Sequence, residues 1–168
     1  MKKITSLAVS ALLALSMLFA LCSCTLNYRQ KHFTFQGLTI TLTEEFEIVE
    51  ENEEENYVLI EGRGITVTII EIERVASQIR SSSDVAKELA TQYGVSADKI
   101  KTYKGIANNI ERADINHTEK VDGVSYLVMD KCYYRHSSSY VVEFVCLKEN
   151  AGAYAADIEE WTRSIRFV

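Results

Sequence analysis

Proline does not occur once in these 168 residues, and glycine occurs only seven times. The chain has no proline-set corners, so its tight turns fall to Gly, Asn and Asp. Basic charge is also in short supply: 18 Lys and Arg stand against 24 Asp and Glu, for a net charge of −6. Nucleic acid requires a basic face on its binder, and so does direct adhesion to an anionic leaflet, which sets nucleic acid aside as a partner. No internal repeat, low-complexity tract or Pro-rich or Gly/Ser-rich linker divides the body. Reactive constellations are absent as well. There is no Gly-x-Ser-x-Gly elbow and no phosphate-binding glycine loop. His32, His117 and His136 never stand at the i, i+4 spacing that places two ligands on one helical face. Cys132 and His136 lie in one strand-like stretch, about 13 Å apart if extended, too far for a nucleophile and its base. The sequence therefore reads as a non-enzyme with no metal and no cofactor.

What the chain does have in abundance at one end is apolar sequence. Met1-Lys2-Lys3 gives a short positive start, and Leu7 to Leu21 then runs apolar with only Ser10 and Ser16 interrupting. That is the layout of a secretory signal, and it falls short of the roughly 20 apolar residues a spanning helix needs. The run ends in Leu21-Cys22-Ser23-Cys24, which resembles the lipobox of bacterial lipoproteins. In that family a cysteine after a small residue receives a diacylglyceryl group and becomes the first residue of the mature chain. Cys24 follows Ser23 and fits; Cys22 follows bulky Leu21 and does not. The resemblance implies a signal peptide over residues 1–23, lipid attachment at Cys24 and a location on the extracytoplasmic face of the cell membrane. Two acyl chains suffice for stable anchoring, at about 0.8 kcal/mol per buried CH₂. Residues 24–32 are then a short tether, and residues 33–168 a single domain.

Within that domain Phe33 to Phe35 and Leu38 to Leu42 alternate apolar and polar residues around Gln36-Gly37, a hairpin pattern. Glu47 to Val49 and Tyr57 to Glu61 read as short strands joined by the acidic run Glu50 to Asn56, expected to be a solvated loop. Gly62-Arg63-Gly64 turns into Ile65 to Ile72, rich in β-branched residues. Ser81 to Asp84 supply N-cap oxygens, Val85, Leu89 and Tyr93 recur every fourth residue, and Gly94 closes the pattern, so a helix is expected there. Residues 95–109 give no clear signal beyond a short turn after Ser96. Ile115 to Val121 and Val124 to Tyr134 flank Asp122-Gly123, a favoured hairpin turn, and Ser139 to Leu147 is another strand. Tyr154, Ile158 and Trp161 mark a helix over Ala151 to Arg163, ahead of a short strand at Ser164 to Phe167. With the 135–139 hairpin centred on Ser137, Cys132 faces Val142 and Cys146 faces Val128. The thiols then share a face but stand about 13 Å apart, beyond disulfide reach, and read as free and buried unless a bulge brings them together.

Strands, helix, strands, helix, strand make an α+β domain: an antiparallel sheet with packed helices. The Phe35 to Leu42 opening, the Asp122-Gly123 hairpin, the tyrosine-rich strand pair and the closing Ile158 to Phe167 together resemble the PsbP-like fold. That group includes an extrinsic photosystem subunit, a Ran-binding nuclear import factor and bacterial lipoproteins. The resemblance implies an α/β/α sandwich that binds or assembles without a shared catalytic centre.

Aromatic residues beside arginine commonly anchor interfaces. Tyr133, Tyr134, Arg135 and His136 are therefore the candidate partner surface. Adjacent Tyr133 and Tyr134 must face opposite sides of a strand, so one is expected in the core and the other outside with Arg135. The function expected is a lipid-anchored extracytoplasmic binding or assembly module engaging a protein near the membrane. The alternative is a receptor for a small molecule, a cation or a cell-wall component, which a deep polar pocket would favour.

Overall fold

A computed structural model describes residues 29–72, 79–106, 110–135 and 138–168. Among these residues ten strands form two antiparallel sheets, and two α-helices pack on them. The small sheet holds β1 (Gln30–Phe35), β2 (Leu38–Thr43) and β10 (Arg166–Phe167) in the order β1-β2-β10. The large one runs β3-β4-β5-β9-β8-β7-β6, with β3 at Glu47–Asn52, β4 at Tyr57–Gly62, β5 at Ile65–Ile72, β6 at Lys101–Ile106, β7 at Ile110–Val121, β8 at Val124–Arg135 and β9 at Ser138–Leu147. Helix α1 (Ser82–Gln92) lies on one face of the large sheet; α2 (Ala151–Ser164) and the small sheet lie on the other. This is the α+β sandwich expected.

Turn chemistry sets the registers. Gln36-Gly37, Arg63-Gly64 and Asp122-Gly123 all have positive φ at both residues, the backbone a two-residue hairpin needs to match strand twist. Alternation then sends every second side chain inward, as in β2, where Leu38, Ile40 and Leu42 are buried and the threonines between them are not. Helix α1 starts where the serine cluster predicts: Ser81 Oγ accepts from the Asp84 amide and donates to the Asp84 carboxylate.

The main core fills the space between the two sheets and α2. Phe46 and Trp161 meet edge to face at 5.1 Å, and Phe144 stacks on Trp161 at 6.3 Å. Side chains of this kind contribute about 1.5–3 kcal/mol each on full burial. Gly62 has a steric reason to be glycine, because a Cβ there would come within 2.9 Å of Phe46 and the Glu45 carbonyl. A smaller core joins Val85, Ala86, Leu89 and Ala90 of α1 to Ala113, Ile115, Cys132 and Val141.

Four expectations change. β1 begins at Gln30, three residues ahead of Phe33, because pairing continues to Gln30↔Thr43. The acidic run is only partly loop: Glu50 to Asn52 extend β3 past a bulge after Ile48, and Tyr57 donates to Glu50 across the pair. β6 occupies part of the stretch without signal. β8 and β9 pair from Arg135↔Ser138 onward, so Cys132 pairs with Val141 and Cys146 with Leu127. That one-residue slip puts the thiols on opposite faces of the sheet. Both are free and buried, Cys132 under α1 and Cys146 in the main core.

Candidate functional site

The three described residues of the expected partner surface, Tyr133, Tyr134 and Arg135, do not share one surface. Tyr133 is 3% exposed and lies edge-on to Phe167 at 5.7 Å in the main core. Tyr134 points to the other face, half-buried beside α1, and its amide donates to Ser82 Oγ. Arg135 is exposed, and His136 lies outside the described residues, as does Cys24. The pair thus divides across the strand as strand geometry requires, but the exposed member of the patch is Arg135 alone among the described residues.

The structure exposes a different surface. Helix α1 covers only the end of its face of the large sheet that holds Ala113, Ile115, Cys132 and Val141. Among the described residues no helix covers the remainder of two rows further along the strands: His117, Val128, Val145, Thr66 and Glu61 in one, and, beyond Ile115, Asp130, Glu143, Thr68, Leu59 and Glu50 in the next, with Val128 and Asp130 buried all the same. Glu119 opposes Tyr126 beyond them. These rows carry Glu50, Glu61, Glu119, Glu143 and Asp130 and no lysine or arginine. Tyr57 and Tyr93 flank the strip; Tyr93, 38% exposed, closes α1 and stacks on His117 at 4.4 Å.

Asp130 is the buried centre of the strip. It has no exposed surface, and neither carboxyl oxygen has a hydrogen-bond partner. His117 Nδ1 stands 3.9 Å away, while His117 Nε2 is 3.3 Å from Glu119. Burial, reinforced by the charge of Glu143, pushes the Asp130 carboxyl up to about 8. Burial likewise raises Glu143. Asp130 is therefore largely neutral at pH 7, the lower-cost state for a carboxyl without a partner. Cys132 is raised well above the usual thiol range by burial and then by Asp130, which leaves it a poor nucleophile. Among the described residues no group of three or more His, Cys, Asp or Glu is placed to hold a metal ion.

The opposite face buries a charged cluster too, but there each charge has a counter-charge. Arg112 Nε lies 2.8 Å from Asp114, whose other oxygen takes Lys131 Nζ at 2.7 Å. Arg112 also reaches Glu159 of α2 at 3.4 Å and lies over the Tyr103 ring at 4.4 Å. This network ties α2 to the sheet. A groove of about 730 Å³ runs between β2 and α2, with His32, Thr39, Thr41, Arg63, Asp157 and Ser164 on its walls. Several of its polar groups satisfy one another: Arg63 pairs with Asp157 at 3.0 Å, His32 bonds Thr41, and the Thr41 amide donates to Ser164 Oγ.

No protein-family model matches the chain, and no curated protein matches it in sequence. Solved structures do. A protein from Bacteroides thetaiotaomicron VPI-5482 superposes with a TM-score of 0.59 at 15% identity over 82% of this chain, which spans 48% of that protein, about half its length. The Ran-binding protein Mog1p of Saccharomyces cerevisiae gives 0.53 at 9% identity over 84% of this chain and 97% of Mog1p. Cyanobacterial PsbP from Synechocystis sp. PCC 6803 gives 0.49 at 9% identity, covering 83% and 92%. At these identities the likeness is one of fold: the chain has the α+β fold of Mog1p.

Proposed function

We propose that this chain is a lipid-anchored, extracytoplasmic binding module, non-catalytic, that docks a protein partner through the uncovered half of its large sheet. The supporting observation is the strip itself: Glu50, Glu61, Glu119 and Glu143 on one sheet face, flanked by Tyr57 and Tyr93, with no lysine or arginine in its rows. Such a face fits a partner with basic side chains, and complementary charge of this kind speeds and orients docking. That a neighbour of the same fold is a Ran-binding protein adds support by analogy for a protein partner. Retention at the membrane is assigned to a diacylglyceryl group on Cys24, on the sequence motif; among the described residues no helix is long and apolar enough to cross a membrane. The domain then starts at Gln30, after a tether of only Thr25 to Arg29.

A second reading, a receptor for a small polar ligand, draws on the groove between β2 and α2. Its polar groups largely bond one another, so a ligand would have to break those contacts, and the sheet face is preferred.

The test is mild crosslinking and pull-down from host membranes with the native chain, Cys24→Ala and the double charge reversal Glu61→Lys/Glu119→Lys. Both glutamates are exposed, so the reversal leaves the core intact. A protein captured by the native chain, released as salt rises and lost with the reversal is the expected result. Capture that survives the reversal unchanged rejects the sheet face as the docking surface.

A further inference from the structure

The end of the molecule at which the chain enters is also the end from which the β7–β8 hairpin projects. The Arg29 carbonyl accepts from the Glu44 amide, and Glu45 and Phe46 press against Gly62 at the end of β4. From Gly62 the register passes to Ile65, then Cys146, then Leu127, so chain entry is level with Leu127 on β8. Leu127 to Gly123 carries the hairpin roughly 13 Å beyond that level, at about 3.3 Å per residue. The lateral offset from β4 to β8, three strands, is roughly 15 Å at about 4.8 Å per strand. Thr25 to Arg29 reach roughly 18 Å when extended. An acyl group on Cys24 and the hairpin tip can therefore occupy one plane.

The tip has the composition of a surface that meets lipid. Val121 and Val124 are paired across the turn, 53% and 43% exposed; among the described residues the other valines and isoleucines as exposed are Ile48, Val49 and the terminal Val168. Lys120 precedes them, Asp122 stands in the turn between them, and half-buried Tyr126 and Leu147 with Lys148 and Glu149 line a shallow cavity behind Val124. Valine, tyrosine and lysine together suit the boundary between acyl chains and headgroups, where aromatic rings sit and lysine ammonium groups reach phosphate.

We propose that the β7–β8 tip rests on the lipid bilayer, Val121 and Val124 entering the headgroup boundary, so that the large sheet stands upright on the membrane. This rests on the lipid anchor at Cys24 proposed above. It leaves the acidic strip facing sideways, accessible to a partner moving along the same membrane.

The experiment uses the full chain made in a bacterium that processes lipoproteins and reconstituted into vesicles of phosphatidylcholine and phosphatidylglycerol containing a nitroxide-labelled lipid. Flotation comes first: the native chain floats with the vesicles, and Cys24→Ser does not. A fluorophore is then placed on Val124→Cys or, at the far end of the same strand, on Arg135→Cys, roughly 36 Å away. Buried Cys132 and Cys146 stay unlabelled. The expected result is quenching several-fold stronger at position 124 than at 135. A native chain that fails to float overturns the anchor and the orientation with it. Flotation with equal quenching at the two positions, or stronger quenching at 135, overturns the orientation alone.

Discussion

The two faces of the seven-stranded sheet are built from the same strands, yet they treat buried charge in opposite ways. Beneath α2 and the small sheet, Arg112, Asp114 and Lys131 are buried together, and each finds an opposite charge within 3 Å. Beneath Tyr93 and His117, Asp130 is buried as deeply with neither oxygen partnered. Counter-charges on the first face join elements that must stay together, the sheet and α2. On the second face α1 stops short, and acid accumulates in front of it with no lysine or arginine in its rows among the described residues. The contrast separates a face organised for cohesion from one organised for contact.

The comparison breaks most severely at Asp114. Removing its carboxylate by Asp114→Ala leaves Lys131 buried without its counter-charge and Arg112 with Glu159 alone, a change that typically costs about 3–5 kcal/mol. Urea unfolding followed by tryptophan fluorescence reads this directly, since Trp161 lies on α2 and in the main core. A loss below about 1 kcal/mol would mean that water reaches the network and screens it, as at an exposed ion pair.

Asp130 sharpens the comparison through pH. Its ordinary carboxyl value of 3.8 is raised to about 8 in the folded protein, by burial first and by Glu143 next. Between those values the folded state holds a proton that the unfolded state has released. Stability from this group is thus complete below about pH 4 and declines toward pH 8, by at most about 1.4 kcal/mol per pH unit. Glu143, also raised, adds a slope of the same sign, while His117 and Tyr93 pack over the carboxyl. Asp130→Asn keeps the shape and removes the proton, so its unfolding free energy should vary less between pH 5 and pH 8 than the native protein's. An unchanged slope would mean that Asp130 ionises freely and that its burial is relieved in solution.

How far these faces were legible in sequence follows from the periodicity each segment carries. Val85, Leu89 and Tyr93 repeat at helical spacing because one side of α1 packs on the sheet, and the Gly-containing turns announce three hairpins by residue type. β6 escaped because it is an edge strand, open to solvent, with no alternation to read. The β8–β9 register escaped because a Ser-rich turn admits two lengths, and one residue exchanges the faces on which Cys132 and Cys146 lie. The acidic strip was invisible for a further reason: Glu50, Glu61, Glu119 and Glu143 come from four strands and meet only after pairing. Tyr133 and Tyr134 drew attention through local composition, and composition does not report that β10 brings Phe167 over one of them.

The smallest of the expected effects bears on where the cover ends. Helix α1 is the sole helix on the contact face among the described residues, and its start depends on Ser81, whose hydroxyl accepts from the Asp84 amide at 3.2 Å and donates to the Asp84 carboxylate at 2.8 Å. The hydroxyl also holds that carboxyl below its ordinary range, so its help fades only when acid protonates Asp84. Ser81→Ala removes the cap and should cost about 1 kcal/mol near neutral pH. Because α1 packs on a small core of its own, the loss should appear as local opening: faster amide exchange across Val85 to Ala90, with β8 and β9 less affected. Equal acceleration in helix and strands would mean that both faces open as one unit. In that case the acidic strip would be as rigid as the core, and a partner would meet a fixed surface with no movement of its α1 border.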